Sequence, residues 1–235
     1  ETKTGISQWL YGAQYQRMLR YERQTLARFE GVLAVSDADR LTFAELYPGA
    51  IRQPVHVVPT GVDTEYFAPS PIRKPSPIRN PQSAIRNELI FTGSMDWLPN
   101  EDAMQYFCRE ILPLIRAEEP DVTLSIVGRA PTPAVKRLAE EHAVTVTGRV
   151  DDVRPYMKEA AVYIVPLRIG GGTRLKIFEA MAMGKAVVST TIGDEGLPVT
   201  HRGNARLADE PSAVARAVVR RRPDTTQSEE PTPAL

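Results

Sequence analysis

The stretch Gly170-Gly171-Gly172-Thr173-Arg174-Leu175-Lys176-Ile177-Phe178-Glu179-Ala180-Met181-Ala182-Met183-Gly184-Lys185-Ala186-Val187-Val188-Ser189-Thr190 decides the fold of this chain. It follows an apolar run, Ala161 to Leu167, and leads into another, Ala186 to Val188. That order predicts strand, glycine loop, helix, strand. Glycines let backbone approach an anion closely, and a helix start offers free N–H groups and the positive end of its dipole. Arg174 and Lys176 add formal positive charge at the same spot, and Glu179 can accept hydrogen bonds from sugar hydroxyls. The combination suits a nucleoside diphosphate with its ribose. The same residues also read as a plain tight turn and as a Lys176–Glu179 pair at i,i+3 spacing.

Working outward, strands and helices alternate from Glu88 onward. Strands are predicted at 89–92, 122–127, 144–147, 162–165 and 186–189, with helices at 101–117, 134–142, 153–160, 174–183 and 212–222. Pro113 should bend or shorten the first of these helices. Such alternation predicts an α/β fold, a doubly wound parallel sheet covered by helices on both faces. Ligands in such sheets bind beyond the carboxyl ends of the strands. Gly93, Ser94, Gly148, Arg149, Val150 and the glycine loop all fall there, and so does Asp194-Glu195-Gly196, which reads first as a solvated turn. Upstream, 7–30 has near-helical apolar spacing, Val32 to Val35 reads as a short strand, and Ser36 with Asp39 forms a capping-box signature opening a helix to Leu46. Val55 to Val58 is a further strand. Pro69-Ser70-Pro71-Ile72-Arg73 recurs as Pro75-Ser76-Pro77-Ile78-Arg79, which predicts an extended linker. The domain division expected is 1–66, linker 67–87, nucleotide-binding domain 88–222, and a disordered tail 223–235 rich in Thr, Ser, Glu and Pro.

Composition limits the function classes. Lys+Arg 29 against Asp+Glu 29 leaves no global field for nucleic acid or an anionic membrane, so an anion site must be local. The single cysteine, Cys108, allows no internal disulfide and reads as a small buried hydrophobe, with a cytoplasmic setting as the default. No apolar run approaches the roughly 20 residues of a membrane-spanning helix. His56, His142 and His201 have no metal-ligand partners at useful spacing. The start, Glu1-Thr2-Lys3-Thr4-Gly5, is neither signal peptide nor initiator methionine, so a fragment of a longer protein is expected.

Four segments carry a family resemblance. They are Val35-Ser36 with Val58-Pro59-Thr60-Gly61-Val62-Asp63; Phe91-Thr92-Gly93-Ser94-Met95; Ile126-Val127-Gly128-Arg129 with Val146-Thr147-Gly148-Arg149-Val150; and Phe178-Glu179-Ala180-Met181-Ala182-Met183-Gly184-Lys185-Ala186-Val187-Val188. In this order the chain resembles the group 1 (family 4) glycosyltransferases of the GT-B fold, in the Gly-Gly-Gly-Thr-Arg-Leu-Lys variant. The resemblance implies transfer of a sugar from a nucleotide sugar, such as a UDP- or GDP-sugar, to an acceptor, usually with retention. It implies no cofactor and no strict need for a metal. Residues 1–66 would be the remnant of an acceptor-side domain with its hinge. Gly93 and Ser94 would lie near the diphosphate, Gly170, Gly171, Gly172 and Thr173 would bind it, and Glu179 would take the ribose. Arg149 and Val150 would meet the nucleobase. Arg174 and Lys176 would be the catalytic cations, Arg174 ahead of Lys176 for a bidentate contact.

The chain departs from the family at three places. Gly171 stands where many members have a second Glu, Ser94 where many have Arg, and Trp97-Leu98-Pro99-Asn100 supplies no Lys. A sugar or lipid-linked acceptor is implied, with polysaccharide synthesis as the setting. Peripheral contact with the inner membrane face would then come through the missing N-terminal part. Two other readings stand beside transfer: a non-catalytic nucleotide(-sugar)-binding module, and a nucleotide-sugar epimerase of the same fold.

Overall fold

A computed structural model describes residues 5–69, 88–195 and 205–220. They form two compact units. One holds residues 5–61, 171–175 and 195; the other holds 62–69, 88–170, 176–194 and 205–220. The proline-rich repeat from 70 to 87 and the tail from 223 lie outside the described residues.

In the first unit, α1 (Gly5–Leu26) precedes β1 (Val32–Ala34), α2 (Asp37–Leu46) and β2 (Val55–Val57), with β1 and β2 parallel. Ser36 caps α2 as its spacing predicts. Its hydroxyl accepts from the Asp39 amide at 3.0 Å and donates to the Asp39 carboxylate at 2.7 Å. The apolar spacing of α1 does make a helix, yet Trp9, Leu10, Tyr11, Tyr15, Met18 and Tyr21 remain exposed. Its anchors are polar: Tyr47 is buried and its hydroxyl donates to Glu22, and Gln53 Nε2 donates to the Leu26 carbonyl at 3.1 Å.

The second unit is the α/β domain. It contains β3 (Glu88–Thr92), α3 (Leu98–Tyr106), a π-helical turn (Phe107–Ile111) and α4 (Leu112–Glu118). There follow β4 (Thr123–Val127), α5 (Pro133–Glu141), β5 (Thr145–Gly148), α6 (Arg154–Glu159) and β6 (Val162–Val165). It ends with α7 (Leu175–Ala182), β7 (Ala186–Ser189), β8 (Arg206–Leu207) and α8 (Pro211–Val219). All six strands are parallel, in the order β5-β4-β3-β6-β7-β8. The order reverses between β3 and β6, which is a topological switch point. Leu89, Ile90, Phe91, Ile126, Val127 and all of β6 are buried, as parallel strands covered on both faces require.

The helix expected at 101–117 differs in an instructive way. It starts earlier, at Leu98, because Pro99 falls in the first turn, where no amide is needed. It then passes through the π-helical turn, in which the Leu112 amide reaches back five residues to the Phe107 carbonyl. Pro113 explains the change. It has no N–H to give the previous turn, and its ring would clash with a carbonyl four residues back, so the register slips by one residue before it. Cys108 lies in this turn and is buried, and burial pushes its thiol up to about 12, so it is inert. Strand β8 is two residues long and carries no periodic signal that would have predicted it.

Candidate functional site

The carboxyl ends of β3 and β4 are pressed together through two glycines. A Cβ on Gly128 would lie 1.7 Å from the Gly93 carbonyl oxygen, so only glycine fits. Past the strand ends the ladder continues: Gly93 N donates to Val127 O at 3.0 Å, and Met95 N to Arg129 O at 2.9 Å. The Gly128 amide in turn donates to Gly148 O at 3.2 Å, tying the turn after β5 to the same edge.

On this edge Lys176, in the first turn of α7, meets the β3 loop. Its Nζ donates to Asn100 Oδ1 at 3.1 Å and stands 4.2 Å from the centroid of the buried Phe91 ring. Asn100 is itself buried, and its Nδ2 donates to the Ser94 carbonyl at 2.9 Å. A Cβ on Gly93 would come within 2.7 Å of Asn100 Nδ2 and 3.1 Å of Lys176 Nζ. The glycine therefore admits an ammonium to the backbone. Ser94 continues the network: its hydroxyl donates to Asp96 Oδ1 at 2.5 Å and accepts from Arg129 Nε at 2.9 Å. The Ser94 hydrogen bond, with help from Arg129, holds the Asp96 carboxyl below its usual range. Glu179 lies one turn along α7 from Lys176. Burial raises its carboxyl pKa, and Lys176 opposes that rise.

Arg174 behaves differently. It stands just before α7, and its Nη1 donates to the Gly171 carbonyl at 2.6 Å. Its Nε and Nη2 and the Thr173 hydroxyl are buried with no hydrogen-bond partner among the described residues. Burial lowers the Arg174 pKa, and nearby Glu195 opposes the shift. Gly170 and Gly172 adopt φ of +116° and +86°, backbone that favours glycine. Gly171 does not, and a Cβ there would sit 3.9 Å from Glu195 Oε2, so a carboxylate lies next to the position whose side chain is missing. Arg149 and Val150 follow Gly148, whose φ is +71°; Arg149 is exposed and has no side-chain hydrogen bond or ion pair among the described residues.

Of the residues singled out by sequence, Gly93, Ser94 and Lys176 are joined in one hydrogen-bonded network. Gly171, Thr173 and Arg174 form a separate cluster with Glu195. Sequence reading missed Asn100 and Arg129. The signal for Arg129 was available, since Gly128-Arg129 repeats the Gly148-Arg149 pattern after the neighbouring strand. Among the described residues, no group of three or more His, Cys, Asp and Glu could hold a metal ion, and no helix is long and apolar enough to cross a membrane.

Asp194, in the turn after β7, has one carboxylate oxygen buried with no hydrogen-bond partner among the described residues, and burial pushes its pKa up to about 6 from 3.8. A raised folded-state pKa means the folded chain holds this proton more tightly. The stability it contributes is complete below about pH 4 and is lost as pH rises through about 6. Asp194→Asn should therefore be more stable than the wild type at about pH 7.5, with the gap closing near pH 4. Urea midpoints of both proteins at the two pH values check this; a gap that ignores pH would mean the carboxylate is solvated.

Residues 86–221 match the family described as Glycosyl transferases group 1, and the chain belongs to that family. The phosphatidyl-myo-inositol mannosyltransferase of Mycolicibacterium smegmatis is 30% identical over 183 residues, 72% of this chain and 44% of that protein. An uncharacterized 44.6 kDa protein in the cps region of Klebsiella pneumoniae is 24% identical over 162 residues, 65% of this chain and 42% of that protein. The chain thus spans less than half the length of these two relatives. Among solved structures, Anabaena HepE in complex with UDP and glucose superposes with a TM-score of 0.66 at 21% identity, covering 89% of this chain and 58% of that one. A sucrose-phosphate synthase from Thermosynechococcus elongatus gives 0.63 at 20% identity, covering 87% and 52%. At these identities the structures speak for the fold, which is that of the GT-B glycosyltransferases.

Proposed function

We propose that this chain is the donor-binding part of a retaining hexosyltransferase that takes its sugar from a UDP- or GDP-sugar. The observation that carries the reading is the Lys176 ammonium held by Asn100 at the glycine edge of β3, beside the sheet's switch point. In this reading the donor's diphosphate meets Lys176, and the family resemblance assigns phosphate-binding roles to Gly170, Gly171, Gly172, Thr173 and Arg174 as well. Glu179 takes the ribose hydroxyls, and Arg149 with Val150 faces the base. As the bond between the sugar's anomeric carbon and the phosphate oxygen breaks, negative charge grows on the departing diphosphate, and fixed cations stabilise it. The acceptor hydroxyl oxygen forms the new bond to the anomeric carbon, and its proton passes to the departing diphosphate oxygen. No metal or other cofactor is assigned a role.

Residues 1–66 are assigned to the acceptor-side domain, and 88–222 to the donor domain, whatever its activity alone. A relative named for a phosphatidylinositol acceptor supports a lipid-linked acceptor, and with it a cytoplasmic enzyme working at the inner membrane face in polysaccharide synthesis. Calorimetric titration with UDP and GDP, followed by a donor-hydrolysis assay, tests the proposal. A nucleoside diphosphate should bind, and hydrolysis should follow if the cations act on the leaving group. Binding without turnover identifies a module that holds donor only. If neither nucleotide binds at millimolar concentration, the donor-site reading is wrong.

A further inference from the structure

We infer that Arg129, on the loop after β4, is a diphosphate-binding residue that works opposite Lys176 across the Gly93–Ser94 turn. This rests on the donor-site reading above and adds a residue to it. The placement starts in the backbone. Close contact of Gly128 with Gly93 sets the two loops side by side, and the Met95 amide bonded to the Arg129 carbonyl fixes where the arginine leaves the chain.

The side chain is then aimed by hydrogen bonds. The Ser94 hydroxyl donates its hydrogen bond to Asp96, which leaves an oxygen lone pair of Ser94 to accept from Arg129 Nε. A guanidinium has five N–H bonds, and this contact uses one. The four on Nη1 and Nη2 have no hydrogen-bond partner among the described residues, and the side chain is exposed. That fork is preorganised, so binding an anion immobilises little more of it. Lys176 Nζ approaches the preceding residue, Gly93, so the two cations flank consecutive peptide units.

A surface arginine is often merely solvated, and Asp96 is an opposing charge nearby. Here Asp96 is engaged by Ser94, and it has no ion pair with Arg129 within 4.0 Å among the described residues. At this turn the Asp96 carboxylate stands against two cations, Arg129 and Lys176, and Glu179 acts on Lys176 from α7. Arg174 spends one terminal nitrogen on its own loop, whereas both of Arg129's are unspent.

The test measures wild type, Arg129→Ala and Arg129→Lys with UDP and GDP by calorimetry, and with uridine and guanosine by ligand-observed NMR. Arg129→Ala should weaken the bound diphosphate about tenfold or more and leave its nucleoside unchanged. Arg129→Lys should recover part of the loss, because charge returns without the fork. Thermal unfolding of Arg129→Ala should match the wild type, since the side chain is exposed. Unchanged diphosphate affinity in Arg129→Ala overturns the assignment, and so does an equal loss for diphosphate and nucleoside. A wild type that binds neither diphosphate overturns the donor-site reading itself, and this assignment with it.

Discussion

Gly128→Ala should destabilise the α/β unit by about 3 kcal/mol and abolish nucleoside diphosphate binding at the β3 edge. The added methyl would start 1.7 Å from the Gly93 carbonyl oxygen and 2.8 Å from its carbon. Both are backbone atoms, so no side-chain rotation relieves the clash. The ends of β3 and β4 must part, which strains the Gly93–Val127 and Met95–Arg129 hydrogen bonds. Overpacking costs about 1–3 kcal/mol, and each lost hydrogen bond about 1 kcal/mol more. For a chain of this length the melting temperature should fall by roughly 6–12 °C. Gly148→Ala is the control. Its φ of +71° also disfavours a side chain, but a Cβ there meets nothing within 4 Å, so about 1 kcal/mol is expected. Urea unfolding of both variants decides the matter. Equal, mild effects would mean the glycine contact is slack and the loop geometry built on it is wrong.

Lys176→Met should leave the fold intact and weaken diphosphate binding by about 2 kcal/mol, or roughly 30-fold. Methionine keeps most of the stem and loses only the ammonium. The contact over the Phe91 ring contributes about 0.5–1 kcal/mol, and relieving a partly buried charge offsets that loss, so stability should move little. The binding loss is larger because a charged donor facing phosphate is removed from a site shaped around it. A second readout follows from Glu179. Lys176 opposes the rise of its pKa, so the variant should hold the Glu179 proton to higher pH, and ribose-dependent binding should fall off at a higher pH than in the wild type. Calorimetry with UDP, GDP and their nucleosides across pH checks both effects. An equal loss for nucleoside and diphosphate would make Lys176 a packing residue and remove the basis of the donor-site proposal.

Much of this architecture was legible in the chain because it depends on local chemistry. Alternating apolar runs, the glycine loop before α7 and the Ser36–Asp39 cap are each satisfied within a few residues, and each forms where expected. Pro113 announced a disturbance in its helix, but not that the relief would be a π-helical turn two to six residues earlier. The hydrogen-bonded network of the candidate site was legible in part. Gly93, Ser94 and Lys176 were found from their positions at strand ends and a helix start. Asn100 was not, because its partner Lys176 is 76 residues away in the sequence; Arg129 sits in a legible Gly-Arg pattern, but its bond to Ser94, 35 residues away, exists only in the folded chain.

The residue pattern alone determined a parallel α/β sheet, which loops lie beyond the carboxyl ends of its strands, and the family signature around Glu179. Those follow from periodicities of two and 3.6 residues and from what glycine and proline permit, all short-range properties of a polymer. Tertiary packing decided which cations share a network, that Arg174 turns a nitrogen back to Gly171, and that one buried Asp194 oxygen has no partner among the described residues. Hydrogen bonds and desolvation act between atoms brought within about 3 Å of each other, and only the folded chain sets which atoms those are.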